Sequence, residues 1–323
     1  MRMMMNRTFQ PRRRQLLKLL IAFAFALAGI EVFCRLALGL GDPPLYVADP
    51  QIEYMLAPNQ DVQRFHNRVL VNQWGMRSRP FGRHKEAANE LRVMVFGDSV
   101  VNGGSQVDHA QLATTVLEQR LSAQLKRPVT VGNVSAGSWG PGNWLAYARR
   151  FGVFDADTVL LVVNSGDYAD NPTFEPLRPD THPTAKPTLA TQEAFARYLP
   201  RYLPWVKPTS SQDPSAQAGP SNREVETGLR DLRDFLLTVR IGGARVVVLH
   251  HPDIAELKTG EYAPGYDRMR VLCQAIDVPF LEMRGAYLAG GSTSLYRDGV
   301  HLNAGGQAVL AAQLLDALAP ALP

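Results

Sequence analysis

Five short strand-like segments, residues 91–96, 129–135, 158–163, 245–249 and 278–281, are separated by stretches with helical spacing of apolar residues. The first, Leu91-Arg92-Val93-Met94-Val95-Phe96, reads as a buried strand. Residues 111–125, with Leu112, Val116, Leu117, Leu121 and Leu125, read as an amphipathic helix. Helical patterns recur at 141–150, 223–239, 265–276 and 304–318. Strand alternating with helix in this order predicts a three-layer α/β/α, doubly wound parallel sheet.

Two short motifs sit at informative places on that frame. Gly97-Asp98-Ser99 directly follows the first strand, and Asp298-Gly299-Val300-His301 precedes the last helix. A serine hydroxyl is a poor nucleophile at neutral pH unless an imidazole takes its proton, and a carboxylate fixes that imidazole's tautomer. Ser99, His301 and Asp298 supply the three groups. Ser99 then lies just past a strand's C-terminal end, the edge where open α/β sheets bind ligands. Taken alone, either motif is a common turn sequence. Their joint placement, one after the first strong strand and one before the last helix, favours the catalytic reading.

From about Leu91 to the C-terminus the chain resembles the SGNH or GDSL hydrolase family, whose first block is Gly-Asp-Ser and whose last is Asp-x-x-His. The resemblance implies a flavodoxin-like fold, Ser99 as nucleophile, His301 as base and Asp298 as its partner, with no cofactor. Two middle blocks depart from the pattern. The second places a glycine N–H in the oxyanion hole after a strand ending in Asn; here Asn133 is that Asn, and Gly137 or Ser138 takes the glycine's place. The third normally reads Gly-x-Asn-Asp, whereas this chain has Asn164-Ser165-Gly166-Asp167. Either Asn164 reaches the hole from a shifted register, or the N–H groups of Ser99 and of Gly137 or Ser138 serve alone. One missing oxyanion donor is worth about 10²- to 10³-fold in rate.

A rival nucleophile is Ser138, in Ala136-Gly137-Ser138-Trp139-Gly140, an altered Gly-x-Ser-x-Gly elbow that also follows a strand. Pro141 and Gly142 more simply open the next helix. An α/β-hydrolase also separates its acid from its histidine, whereas Asp298 and His301 share one loop. His250 and His251, with Asp253, read as loop residues at the sheet edge, lining the substrate cleft. They lack a third convergent metal ligand, so no metal site is expected. His66, His84, His109 and His182 show no spacing that favours chemistry.

The net charge of +4 is concentrated: the first eighteen residues hold six Arg or Lys and no acid, leaving −2 for the rest. Basicity therefore belongs to the N-terminus, and no nucleic-acid partner is expected. Arg12-Arg13-Arg14 and Lys18 lead into an apolar stretch, and residues 15–34 have the length that spans a hydrocarbon core of about 30 Å. Glu31 and Arg35, one turn apart, can pair or snorkel at the far interface. The positive-inside rule predicts a single-pass inner-membrane anchor with the catalytic domain in the periplasm. A cleavable signal ending at Ala26-Leu27-Ala28, a twin-arginine signal at Arg13-Arg14, and a buried soluble helix are the alternatives. Cys34 lies in the apolar stretch and Cys273 has no partner, so no disulfide framework is implied.

The expected organisation is a tail and anchor at 1–40, a connector lobe of turns and short strands at 41–88, and a hydrolase domain at 89–323. Residues 170–222 form a proline-rich insertion with ten of the chain's 23 prolines. Regular helix or central strand throughout it is excluded. Its aromatics Tyr198, Tyr202 and Trp205 either stack on sugar rings or pin the insertion to the domain. The resemblance, with the expected location, implies an esterase acting on O-acyl groups of envelope or exported polysaccharide, so the expected partner is an acylated carbohydrate or lipid. A polysaccharide O-acyltransferase and a non-catalytic glycan-binding module on the same fold are the alternatives.

Overall fold

The computed structural model describes residues 10–199 and 219–321. The described residues fall into two compact units, one of residues 10–43 with 185–199 and one of 44–184 with 219–321. Of the three insertion aromatics, Tyr202 and Trp205 lie outside the described residues, and Tyr198 belongs to the first unit.

The second unit is built on five parallel strands: β5 (Leu91–Gly97), β6 (Val129–Ser135), β7 (Thr158–Val163), β8 (Arg245–His250) and β9 (Phe280–Glu282). They lie side by side in the order β6-β5-β7-β8-β9. Counted along the sheet's own strands this is 2-1-3-4-5, the flavodoxin-like doubly wound order. β5, β6 and β7 are buried along their whole length, because helices cover both faces. On one face Met94, Phe96, Leu161 and Val248 meet Trp144 and Tyr147 of α4 (Pro141–Phe151), Phe235 of α6 (Asn222–Ile241) and Met269 of α8 (Pro264–Ala275). On the other, Val93, Val95, Leu160 and Val247 meet Leu117 of α3 (Ala113–Leu125), Tyr287 of α9 (Arg284–Gly290) and Leu310 of α10 (Ala304–Leu318). The alternation of neighbours in β5 between the two clusters is the period-2 signature of a two-sided strand.

Element ends differ from the sequence reading by small, explicable amounts. β9 starts at Phe280 because Pro279 has no N–H to give the ladder and offers only its carbonyl, to Val248. α3 starts at Ala113 because Asp108 caps a separate turn at His109–Gln111 and Leu112 is extended. β8 runs on through His250, which pairs with both Val163 and Glu282.

Ahead of the sheet lie two antiparallel hairpins, β1 (Tyr46–Asp49) with β2 (Glu53–Leu56) and β3 (Gln60–Arg64) with β4 (Asn67–Val71). They are tied to loops at the sheet's C-terminal edge. Fully buried Arg77 donates to the carbonyls of Asn102 and Gly104. The Tyr54 hydroxyl donates to the Gly137 carbonyl, and Trp139 Nε1 donates to the Tyr54 carbonyl.

The loop after β7 is held by close backbone approach. A Cβ on Gly140, Gly228 or Gly265 would stand 1.9, 2.1 and 2.0 Å from the carbonyl oxygens of Asp170, Tyr168 and Ser165 respectively. Three helix segments thus press bare backbone against residues 165–170, which no side-chain-bearing residue permits.

The first unit contains α1 (Gln10–Leu36), long and apolar enough over Arg13–Leu36 to cross a membrane. Its Leu, Ile and Phe side chains from Leu16 to Phe33 are exposed all round, a pattern shared by membrane spans and signal sequences.

Gly228 gives a clean test of the packing. In an exposed helix Gly→Ala stabilises by about 1 kcal/mol. Here Gly228→Ala is expected to destabilise instead, by about 1–3 kcal/mol, because the methyl meets backbone that has nowhere to move. Urea unfolding of the variant against the parent reads the sign directly, and a stabilised variant would refute the packing account.

Candidate active site

The nucleophile position is set by the end of β5. A Cβ on Gly97 would lie 2.4 Å from Val101 Cγ2 and 3.1 Å from the Val162 carbonyl, so the strand can turn here only without a side chain. Trp144 Nε1 fixes the Gly97 carbonyl at 3.0 Å. Asp98 then caps α2 (Ser99–Asn102), its Oδ1 accepting from Val100 N at 2.8 Å, and Ser99 becomes the helix's first residue. This is the topological switch point, where β6 and β7 leave β5 in opposite directions.

The other half comes from a tight loop before α10. A bridge between Tyr296 and Leu302 and a bond from Arg297 N to the His301 carbonyl at 2.8 Å close it. At its tip Asp298 Oδ1 accepts from the N–H groups of Val300 (3.1 Å) and His301 (2.9 Å). His301 Nδ1 lies 2.9 Å from both Asp298 oxygens, and His301 Nε2 lies 2.8 Å from Ser99 Oγ. With the Nδ1 proton on the carboxylate side, Nε2 is free to accept from the serine hydroxyl. Burial pushes the Asp298 carboxyl up, but the His301 and Val300 N–H groups and the His301 ring outweigh it and hold it at about 2. Asp298 is therefore ionised at neutral pH.

Around Ser99 the backbone N–H groups of Ser99, Gly137 and Ser138 have no acceptor among the described residues. Ser138 sits at φ +55°, a left-handed conformation at the exposed turn after β6. As a rival nucleophile it lacks a base: among the described residues no imidazole is hydrogen-bonded to its hydroxyl, and His301 Nε2 bonds Ser99 instead.

Asn164 lines the cleft, but its amide is committed. Nδ2 donates to Asp98 Oδ2 at 3.0 Å and to Asp167 Oδ1 at 2.6 Å, while Asn164 N donates to Asp167 Oδ2 at 2.8 Å. Both amide hydrogens are used, so none is free for an oxyanion, and the shifted register read from the sequence does not supply that donor. Asn164 instead separates two buried carboxyls. Burial, and then the Asp98 charge, pushes the Asp167 carboxyl well up; burial likewise raises Asp98. Gly166, at the position of the expected Asn, donates its N–H to Asn164 Oδ1 at 2.7 Å.

His250 and His251 do not line the cleft as the sequence suggested; both are fully buried. His250 ends β8, with Nε2 2.9 Å from Ser165 Oγ and its ring packed edge-on against Tyr262 and Tyr266. His251 donates from Nε2 to the Val300 carbonyl at 2.8 Å and accepts at Nδ1 from the Tyr287 hydroxyl at 3.1 Å. It therefore braces the residue next to His301. Ile254 N adds a bond to the Gly299 carbonyl at 2.9 Å, and the Tyr296 hydroxyl one to the Pro252 carbonyl at 2.7 Å. Gln307 was not singled out by sequence, yet it joins the two halves of the site: Nε2 donates to the Val100 carbonyl at 2.8 Å and Oε1 accepts from Ala113 N at 2.9 Å. Nothing in a polar residue of an alanine-rich helix announces such a bridge. Among the described residues no group of three His, Cys, Asp or Glu side chains is placed to hold a metal ion.

The triad opens on a cleft of about 740 Å³ whose lining includes Ser99, Ser138, Asn164 and Val300, with Asp170 and Pro220 from the two ends of the insertion. A five-stranded parallel sheet carrying a serine, a histidine and an aspartate at its switch point defines an α/β fold with a hydrolase-type site. No family model matches the chain, and no curated protein matches it. Among solved structures it is similar to TesA (14% identity over 72% of this chain and 99% of that one, TM-score 0.45). It is also similar to a lipolytic protein of the G-D-S-L family from Veillonella parvula (10% identity, 71% and 98% covered, TM-score 0.43). A third is a two-domain esterase active on acetylated mannans (12% identity, 72% of this chain and 49% of that one, TM-score 0.46). These include the family whose blocks the sequence resembles; the chemistry rests on the geometry of Ser99, His301 and Asp298.

The brace at His251 has a pH signature. Burial lowers its imidazole to about 4 against the opposing pull of the Val300 bond and Asp253. The neutral ring thus stabilises the fold fully above the unfolded value near 6.5, and this contribution is lost as pH falls toward about 4. His251→Gln is expected to cost about 1–3 kcal/mol at pH 7. The gap to the parent should narrow by up to about 1.4 kcal/mol per pH unit below 6.5. Urea titrations at pH 7 and pH 5 measure it, and a constant gap would mean that His251 is not held neutral.

Proposed function

We propose that the chain is a membrane-anchored serine ester hydrolase acting outside the cytoplasm on O-acyl groups of an uncharged glycan. The observation that carries the reading is the continuous path from Ser99 Oγ to His301 Nε2 at 2.8 Å and from His301 Nδ1 to Asp298 at 2.9 Å. His301 takes the hydroxyl proton as Ser99 Oγ bonds to the ester carbonyl carbon. The oxyanion so formed is met by the N–H groups of Ser99 and of Gly137 or Ser138. The C–O bond to the alcohol breaks, His301 returns the proton to the leaving oxygen, and an acyl-serine remains. Water, deprotonated by His301, then attacks the acyl-serine and releases the acid.

Two features support the substrate class. The cleft is far larger than a short acyl group needs, leaving room for the alcohol part of the ester. Its lining includes Asp98, Asp167, Asp170, Asp253 and Glu256, with no Lys or Arg among the described residues. A cleft without cations offers nothing to pair with uronate or phosphate groups, which favours a neutral acylated sugar. The basic N-terminus and α1 support anchoring with the second unit exported.

The same acyl-serine can pass its acyl group to a sugar hydroxyl, and the size of the cleft also suits an acceptor. Transfer would appear as acylated oligosaccharide formed at the expense of free acid when a neutral oligosaccharide is added.

The deciding experiment is p-nitrophenyl acetate hydrolysis by the detergent-solubilised full chain. Ser99→Ala is expected to lower kcat by about 10³-fold or more and to abolish fluorophosphonate labelling. Ser138→Ala should stay within a few-fold of the parent, because only its backbone is used. A folded parent that neither hydrolyses nor labels would instead leave a binding module, and loss confined to Ser138→Ala would move the nucleophile.

A further inference from the structure

The first unit holds a segment that the catalytic reading does not use. Residues 185–199 include α5 (Ala190–Glu193) and a further turn over Ala194–Tyr198, and they lie along the C-terminal end of α1. The attachment is dense. The Glu31 carboxylate accepts from Ala190 N (2.8 Å), Thr191 N (2.9 Å) and Thr191 Oγ1 (2.9 Å), and is paired on its other side by Arg35 Nε at 2.6 Å. Arg35 Nη2 donates to the Thr188 carbonyl at 3.3 Å. Beyond the helix, Gly41 N donates to Glu193 Oε2 at 2.8 Å, and Lys186 Nζ pairs with Asp42 at 2.6 Å. Residues 186–193 thus run beside residues 31–42, joined to them by these hydrogen bonds and ion pairs.

That placement fixes a depth. A span of about 20 residues beginning at Gln15 ends at Cys34, so Glu31 to Asp42 straddle the boundary where α1 leaves the hydrocarbon. A segment bonded along those residues lies at the same boundary. Among its exposed side chains are two large apolar ones, Leu189 at 49% and Phe195 at 61%, in the same unit as the exposed Phe33 and Leu36 at the end of α1. Arg197 and Tyr198 follow, the guanidinium over the phenol ring at 5.9 Å, a cation with an aromatic as interfacial segments carry. In water, exposed Leu and Phe beside an anchor would be a liability. At the headgroup boundary they are solvated.

We propose that residues 189–198 form a second membrane contact, lying in the interfacial layer at the exit of α1 with Leu189 and Phe195 immersed at the boundary between headgroups and acyl chains. The occupant of this face is the phospholipid bilayer, an extension of the lipid contact made by α1. The proposal rests on the reading of α1 as a membrane span. Its structural consequence is that the insertion is pinned to the anchor, the Glu31 carboxylate serving as the polar latch that an apolar helix end would lack.

The test uses the full chain in vesicles of phosphatidylethanolamine and phosphatidylglycerol, with the photocrosslinker 4-benzoylphenylalanine placed singly at position 25, 195 or 241. Phe25 lies inside the α1 span and reports insertion; Ile241, an exposed apolar residue of the second unit, reports background. After irradiation, phospholipid adducts are counted by intact-protein mass spectrometry. The expected yield at position 195 is comparable with that at 25 and several-fold above that at 241. Adducts at 25 with only background at 195 would overturn the second contact while leaving the anchor intact. Background at all three positions would remove the membrane span, and the proposal with it.

Discussion

The hydrogen bond between Ser99 Oγ and His301 Nε2 joins residues 202 positions apart, and most of the second unit can be understood as what holds it at 2.8 Å. Neither partner is fixed by its own neighbours alone. Ser99 is placed by a strand end that turns without a side chain at Gly97 and by the Asp98 cap. His301 is placed by a small closed loop whose carbonyls at Gly299 and Val300 are gripped from the β8 side by Ile254 N and His251 Nε2. Gln307 then bonds one half to the other, from α10 to α2 and α3, with both of its partners buried backbone groups. A buried amide at that position has two reasons to stay put, since release would strand a donor and an acceptor in apolar surroundings at about 1–3 kcal/mol each. Misplacement of even an ångström at such a site costs rate, so the brace belongs to the chemistry although it touches no substrate.

Beneath the serine lies a less usual arrangement, two buried carboxyls, Asp98 and Asp167, sharing the amide of Asn164. Two carboxylates so close repel, and each loses hydration; the fold tolerates them because Asn164 and backbone N–H groups donate to both. Their raised affinity for protons has a definite sign. It disfavours the fold above the ordinary carboxylate range and relaxes as the pH falls, opposite to the buried His250 and His251, whose neutral rings are disfavoured by acid. The site thus balances two sets of buried groups whose pH dependences oppose one another. The same commitment leaves Asn164 no amide hydrogen to spare, which is why the proposed mechanism assigns the developing charge to backbone N–H groups at Ser99 and the Gly137–Ser138 turn.

How much of this the sequence disclosed depended on whether the information was local. The parallel sheet was legible because strands buried on both faces carry near-continuous apolar runs, Val93 to Phe96 in β5 and Val159 to Val163 in β7, with Arg92 and Thr158 the polar exceptions near their starts. Ser99, Asp298 and His301 were legible because each sits in a short motif at an element end. His251 lies in the loop after β8, as read, while His250 ends the strand; both were wrongly placed in the cleft because a polar pair after an apolar run looks like a solvent-facing edge. Their burial comes from Tyr262, Tyr266 and Tyr287, which lie 12 to 36 residues further along and meet them only in the fold. For Asn164 the sequence left two alternatives open, and the bond that bears on them was not local: its amide donates to Asp167 three residues on and to Asp98, 66 residues away. Gln307 and Arg77 left no sequence signal at all, since their partners are main-chain carbonyls and N–H groups that any sequence provides.

The hairpins before the sheet show how a segment with no chemistry of its own can still govern the site. Read from composition, residues 41–88 are turns and short strands, and they fold as two hairpins whose outer strands carry ordinary polar residues. Yet the Tyr54 hydroxyl donates to the Gly137 carbonyl, Tyr54 in turn offers its own carbonyl to Trp139, and Asn143 donates to the Ile52 carbonyl at 2.7 Å. These bonds grip the Gly137–Ser138 turn, whose N–H groups have no acceptor among the described residues, from both ends. A peptide plane held by its oxygen also has its N–H direction restricted, because the group is planar. Donors that need no reorientation when charge develops are what make an oxyanion hole effective. With the asparagine amide spent on two acids, the proposed mechanism leans more on the rigidity of the Gly137–Ser138 turn, and in that mechanism the hairpins that enforce it matter as much as the sheet on which Ser99 stands.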